Sequence, residues 1–253
     1  MARVDKPLSG RVVVVTRPRA SSAPLAAALR ARGARVVFAP LIRTLPPRSW
    51  RALDAALAGL AGFDAAAFAS VTAVDSFFAR AKTLKLRPRP PRVVAAVGRA
   101  TGEALAARGW RPSVTPEDSR AEGLARALKL PRGARVLLPR AERGLELLPE
   151  RLAAAGAVVA RASAYRTVED AAGKRALKRA LASGADAAFF ASGSAAAAAA
   201  GLRRAFRACA VVAIGPTTAA ELTALGLRPA AIARTPEVGS LVAAIEAALR
   251  RRP

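Results

Sequence analysis

GRVVVVTRPRASSAPLAAALRARGARVVF (Gly10 to Phe38) and GARVLLPRAERGLELLPERLAAAGAVVAR (Gly133 to Arg161) are one pattern written twice. In the first, Arg11 to Val15 predicts a buried parallel strand, Pro24 to Arg32 a helix stopped by Gly33, and Arg35 to Phe38 another strand. In the second, Arg135 to Leu138, Pro149 to Ala155, Gly156 and Val158 to Arg161 repeat it. Gly10, Arg17, Leu25, Leu29, Gly33 and Val36 all recur 123 positions on. Further out, Gly62, Asp64, Phe68, Ser70 and Ala73 recur 122 positions on, and Gly98, Thr101, Leu105, Gly109, Arg111 and Pro112 recur 117 on. The offset shrinks only across Arg87 to Arg92, so that Pro/Arg-rich loop is longer in the first copy. Paired Gly, Asp and Pro at strand and helix ends are not filler in an Ala-rich chain. They mark a duplicated unit of roughly 120 residues, a domain's size rather than a solenoid repeat's.

The same alternation continues between the matched blocks. Ala65 to Phe68, Val93 to Val97, Ala187 to Phe190 and Val211 to Ile214 read as strands, each followed by a helix. Ala39 to Pro47 and Ala162 to Asp170 read as linkers, aligned by Arg43-Thr44 and Arg166-Thr167. The expected fold class is therefore α/β: two similar lobes, each a parallel sheet flanked by helices, with the ligand site in the cleft between them.

At 253 residues and 53% apolar composition, the chain can build real cores. The single Cys209 can form no internal disulfide, and no charged-then-apolar export signal opens the chain, so a cytoplasmic protein is expected. The longest uncharged apolar stretch, Ala187 to Leu202, is too short and Ala-rich for a membrane span. The formal charge of +25 invites a nucleic-acid reading. Against it, 36 arginines stand beside 6 lysines, as a GC-rich coding bias would give, and the basic residues are scattered without stacking aromatics. No nucleic-acid partner is expected; an anionic small molecule is. With no histidine, no cysteine cluster and no phosphate-cradling glycine loop, the expected chemistry uses no metal and no bound cofactor.

Ligands of parallel sheets bind where a strand's carboxyl end feeds a helix start. Six turns qualify: Thr16 to Arg19, Ser70 to Thr72, Gly98 to Thr101, Pro139 to Glu142, Ser192 to Ser194 and Gly215 to Thr218. Alone, a Ser or Thr here is an ordinary N-cap. Together, their backbone N–H groups, hydroxyls and positive helix ends suit several carboxylates or phosphates. The binding candidates are Arg17, Ser70, Thr72 and Thr101 in the first copy, and Arg140, Ser192, Gly193, Ser194, Thr217 and Thr218 in the second. Arg17 and Arg140 offer bidentate donors, or else pair with a nearby acid.

These segments resemble the uroporphyrinogen-III synthase family of tetrapyrrole biosynthesis. The resemblance rests on VVVTRPR (Val13 to Arg19), FASVTAVDSFF (Phe68 to Phe78), AVGRATGEAL (Ala96 to Leu105), LLPRAERGLELLPERL (Leu137 to Leu152), AYRTV (Ala164 to Val168), FFASGSA (Phe189 to Ala195) and AIGPTTAAEL (Ala213 to Leu222), in order along almost the whole chain. Ala69 and Ala191 stand where the family often has Thr, and Thr72 where Asn is frequent. The resemblance implies an exchanged arrangement that the repeat alone does not distinguish from two consecutive domains. One lobe would hold residues 1–39 with 170–253 and the other 46–161, joined by a two-stranded linker in which 40–45 and 162–169 lie side by side as a small antiparallel pair. It also implies a hydro-lyase that cyclises hydroxymethylbilane, which carries eight carboxylates, to uroporphyrinogen III. The route runs through loss of water, an azafulvene and a spiro intermediate, with ring D inverted. The partner is then that small molecule, handed on from the preceding enzyme to a monomer away from membranes. The only tyrosine, Tyr165 in the second linker, is the candidate proton donor or a half-buried hinge aromatic. Two other readings remain at this level. One is a noncatalytic two-lobed binder of a polyanionic small molecule, which would return its ligand unchanged. The other is a nucleic-acid binder, whose affinity would fall steeply with salt.

Overall fold

Runs of valine and alanine bounded by glycine-stopped helices set the element order. The computed structural model describes residues 6–117, 120–144 and 146–250, so the outer ends of the expected first lobe, 1–5 and 251–253, lie outside the described residues. The first copy supplies β1 (Val12–Val15), α1 (Ala23–Ala31), β2 (Arg35–Phe38), β3 (Ile42–Leu45) and α2 (Arg51–Ala58). It continues with β4 (Ala65–Phe68), α3 (Val71–Thr83), β5 (Val93–Ala96), α4 (Arg99–Ala106) and α5 (Ala121–Ala127). The second copy supplies β6 (Arg135–Ala141), α6 (Leu147–Ala154), β7 (Val158–Glu169), α7 (Ala171–Ala182) and β8 (Ala187–Phe190). It ends with α8 (Gly193–Ala198), β9 (Ala210–Ala213), α9 (Pro216–Ala224), β10 (Ala231–Ile232) and α10 (Val238–Arg250). Short 3-10 turns at Ala20–Ser22, Leu60–Gly62 and Arg203–Phe206 complete the described elements.

Two five-stranded sheets result, β10-β9-β8-β1-β2 and β3-β7-β6-β4-β5. Pairings β1 with β2, β1 with β8, β8 with β9 and β9 with β10 are all parallel, as are β4 with β5, β4 with β6 and β6 with β7. Each sheet thus joins the opening strand–helix–strand of one copy to the later strands of the other. The chain divides accordingly into two compact units, Met1–Arg43 with Val168–Pro253, and Thr44–Thr167.

Central strands are buried on both faces, which is why they read as unbroken apolar runs. In the first unit Val14, Phe190 and Val211 face one apolar cluster under α7 to α9, while Val13, Phe189 and Val212 face another under α1 and α10. In the second unit Phe68, Val94 and Leu137 pack under α2 to α4, and Ala67, Ala95 and Val136 under α5 and α6. Alanines in β4 leave room for rings: Phe68, Phe77, Phe78 and Trp110 meet edge-on, with centroids 5.2–6.2 Å apart.

Three sequence expectations change in detail. The segment expected as the second linker continues β7 as far as Glu169: it pairs along β6 up to Tyr165, and its other strand neighbour is β3. The helix expected from Pro149 begins at Leu147, and Pro149 sits in its first turn, where a missing N–H costs nothing. Only four of the six turns feed a helix directly. Thr16 to Arg19 passes through the 3-10 turn at Ala20–Ser22, and the Pro139 to Glu142 stretch mostly prolongs β6, with α6 starting only at Leu147.

Candidate functional site

Parallel pairing brings the carboxyl ends of all central strands to one edge of each sheet. In the second unit the order β7-β6-β4-β5 sets four groups there: Tyr165, Arg140, the Ser70 turn and the Gly98 turn. In the first, β9-β8-β1 sets the Gly215 turn, the Ser192 turn and Arg17 side by side in order.

Ser70 and Ser192 are N-caps with nearly identical extended backbones. Each Oγ accepts the N–H of the third helical residue, Ala73 or Ala195, at 3.1 Å. Thr72 is half-buried and Ser194 exposed, each on the second residue of its helix, with Gly193 on the first. The other two helix starts are capped by Gly98 and Gly215. Thr101 and Thr218 are therefore not caps. They occupy the third helical position and are 6% and 4% exposed, yet neither hydroxyl has a hydrogen-bond partner among the described residues. Thr217, one residue earlier, is exposed.

The matched arginines have diverged. Arg140 is 11% exposed and gives Nη1 to Glu146 Oε1 at 2.9 Å, while Arg161 meets the other oxygen of Glu146 at 3.5 Å. Its guanidinium is occupied. Arg17 is half-buried with no acid or acceptor among the described residues, and burial pulls its guanidinium below the ordinary arginine pKa. A desolvated, unpaired guanidinium is a standing demand for an anion.

Tyr165 packs against the apolar cluster that holds Ala160, Ala162 and Ala164. A regular strand would turn Tyr165 to the opposite face from Ala164. A bulge prevents this: Arg140 pairs with Ser163 but Ala141 with Tyr165, and Glu142 N–H reaches the Tyr165 carbonyl at 2.7 Å. The re-aimed phenol lies 3.3 Å from Ser70 Oγ. Two residues singled out separately in the sequence are thus in contact. One residue was not anticipated: Ser22, before α1, is 1% exposed and its hydroxyl has no partner among the described residues. Its position at a helix start was the only signal for it. Among the described residues no cluster of His, Cys, Asp or Glu could hold a metal ion, and no helix is long and apolar enough to cross a membrane.

Fold and site define a class: an α/β protein built from a duplicated sequence, with hydroxyls and helix starts at the strand ends of each sheet and the unpaired Arg17 guanidinium at those of the first. Residues 23–243 match the family described as Uroporphyrinogen-III synthase HemD, and the chain belongs to that family. It is 37% identical over 166 residues to the uroporphyrinogen-III synthase of Synechococcus elongatus, covering 64% of this chain and 63% of that one. It is 32% identical over 157 residues to a putative uroporphyrinogen-III synthase of Methanothermobacter thermautotrophicus, covering 61% and 62%. The aligned stretch thus spans somewhat less than two thirds of either relative. Among solved structures, a uroporphyrinogen III synthase mutant from the extreme thermophile Thermus thermophilus superposes with a TM-score of 0.73 at 23% identity, over 96% of this chain and 100% of that one. The enzyme of Helicobacter pylori 26695 gives 0.60 at 20% identity, over 96% and 100%. These structural likenesses speak to the fold.

Proposed function

We propose that this chain cyclises hydroxymethylbilane to uroporphyrinogen III, with loss of water and inversion of ring D, in tetrapyrrole biosynthesis. One observation carries the reading: each sheet gathers helix starts, hydroxyls and, in the first unit, the unpaired Arg17 at a single edge, as a ligand of many carboxylates requires. Tyr165 donates its phenolic proton to the terminal hydroxyl, which leaves as water while the adjacent pyrrole nitrogen supplies the electron pair. The resulting azafulvene joins the substituted carbon of ring D, giving the spiro intermediate. Reopening and reclosure invert the ring, and the pyrrole carbon that closes the macrocycle loses its hydrogen. That proton restores Tyr165, so hydroxyl and hydrogen leave together as one water. Without catalysis the chain closes to isomer I, so the protein's main task is to hold the reactive chain in one folded pose. The chain works on this small molecule as a monomer in the cytoplasm.

The test is direct. Purified protein in chelator-treated buffer, given hydroxymethylbilane, is expected to yield uroporphyrinogen III in excess of isomer I. Isomer I alone, from protein whose circular dichroism shows it folded, overturns the reading.

A further inference from the structure

The duplication provides an internal control for the site residues, and one disagreement between the copies concerns the phenol. Ser70 and Ser192 are equivalent, with the same cap geometry and the same 3.1 Å bond from the helix. Only Ser70 meets a phenol, Tyr165 at 3.3 Å. The residue matching Tyr165 under the 123-residue offset is Ile42, which has no hydroxyl. The bulge falls between Arg140 and Ala141 of β6, whereas the pairing of β1 with β2 ends at Val15 with Phe38, short of the equivalent positions. One serine of a symmetric pair thus meets a phenol and the other does not.

We propose that Ser70 is a positioning residue for Tyr165 rather than a substrate contact, its hydroxyl donating to the phenol oxygen so that the phenolic proton is left for the substrate. A serine oxygen has one proton and two lone pairs. One lone pair is taken by the Ala73 N–H at the positive end of α3, a 13-residue helix. Accepting that bond makes the Ser70 O–H the better donor of the two hydroxyls. At 3.3 Å the contact is long for O–H···O, and substrate binding is expected to shorten it. When the phenol O–H breaks and water leaves, the same Ser70 hydroxyl and helix end face the new phenolate and hold its charge until the proton returns from the closing pyrrole carbon. Ser192, with no phenol above it, has no such role. The proposal rests on the reading of Tyr165 as proton donor given above.

The experiment exploits Tyr165 being the chain's only tyrosine, so a 13Cζ-tyrosine label gives one NMR line. Ser70→Gly keeps a competent helix start, since Gly caps within a few tenths of a kcal/mol of Ser, but removes the hydroxyl; Ser70→Thr keeps both. Ser70→Gly is expected to move the Tyr165 line in the full chain and to lower kcat several-fold with KM unchanged. Ser70→Thr restores both, and Ser192→Gly leaves the line in place. Tyr165→Phe is expected to lose at most about 10²-fold, the low end of general-acid effects, with isomer III still in excess. Adding Ser70→Gly to it should then cost nothing further. An unmoved line in Ser70→Gly, a rise in KM at constant kcat, or additive losses in the double variant would each overturn the proposal. Full activity in Tyr165→Phe would instead defeat the proton-donor reading, while the NMR line still decides whether Ser70 holds the phenol.

Discussion

Thr101 and Thr218 each carry a hydroxyl without a partner among the described residues. Such a hydroxyl is nearly covered but not sealed, since its oxygen keeps contact with solvent, unlike that of Ser22. Both copies retain it, at the third position of a helix capped by glycine. We propose that a ligand supplies the acceptor it lacks, and Thr218 beside exposed Thr217 and Pro216 is the better placed. Thr218→Val is therefore expected to leave the melting temperature unchanged or slightly higher while lowering kcat/KM about tenfold, the worth of one hydrogen bond at about 1.4 kcal/mol. A fall in stability with unchanged turnover, read by thermal denaturation and isomer assay, would make the hydroxyl structural. Arg17 and Arg140 show the reverse case. Identical residues at equivalent positions differ because one meets Glu146 and the other meets no acid among the described residues.

Helices are placed by contacts of quite different strength. Gly173, in the first turn of α7, lies so close to the Pro40 carbonyl that an added Cβ would overlap it, so this helix can approach the chain there only through glycine. The α2–α3 contact is electrostatic at its rim. Arg80 Nε and Nη2 grip Asp54 at 2.7 and 2.6 Å, and the same guanidinium lies 4.8 Å from the Trp50 ring centre. The hydrogen bonds from Arg80, with its charge, hold the Asp54 carboxyl below the usual carboxylate range, and Asp54 raises Arg80 in turn. For a depressed carboxyl the stabilisation is complete above the unfolded value, about pH 4, and is lost as pH falls through the folded one. Both side chains are partly exposed, so the effect is small. Melting temperatures of the parent and Asp54→Asn are expected to differ at pH 6 and to converge below about pH 4. A gap that persists well below that, at about pH 2.5, would mean the pair acts through packing on Trp50.

At the scale of the molecule, the two copies are woven together rather than placed in sequence. Asp186 binds both ends of a peptide from the other copy: its Oδ2 accepts the Val12 N–H at 2.7 Å and its N–H donates to the Val12 carbonyl at 2.9 Å. Asp64 repeats this with Arg135, at 2.8 and 3.0 Å. The matched aspartates are clips that fix where β1 enters beside β8 and where β6 enters beside β4. Neither half can complete a sheet alone. Residues 1–131 and 132–253 expressed separately are expected to be unfolded by circular dichroism, and to form a folded, co-purifying complex when expressed together. Independent folding of either fragment would mean that each copy can close its own sheet.

The sequence by itself determined what depends on neighbours along the chain. Apolar runs such as Val12 to Val15 and Ala65 to Phe68, set between turn signals, read as buried strands, Gly33 and Gly156 stop their helices at φ +94° and +91°, and Ser70 and Ser192 cap theirs. Periodicity, caps and duplication are local or alignable signals, so the α/β class and the helix-start turns were legible, and ordered motifs carried the family. Tertiary structure alone decided what depends on residues far apart. Whether β1 pairs with its own copy's later strands or with β8 is invisible in a repeat, because both copies offer equivalent edges. The bulge that turns Tyr165 toward Ser70 comes from the pairing of β6 with β7, and the capture of Arg140 from how the chain beyond β6 folds back to Glu146. Sequence left Thr101 and Thr218 as either ligand contacts or plain caps, because it gives their distance from a helix start but not their exposure. Burial is set by the packing of whole helices, which spacing along the chain does not show.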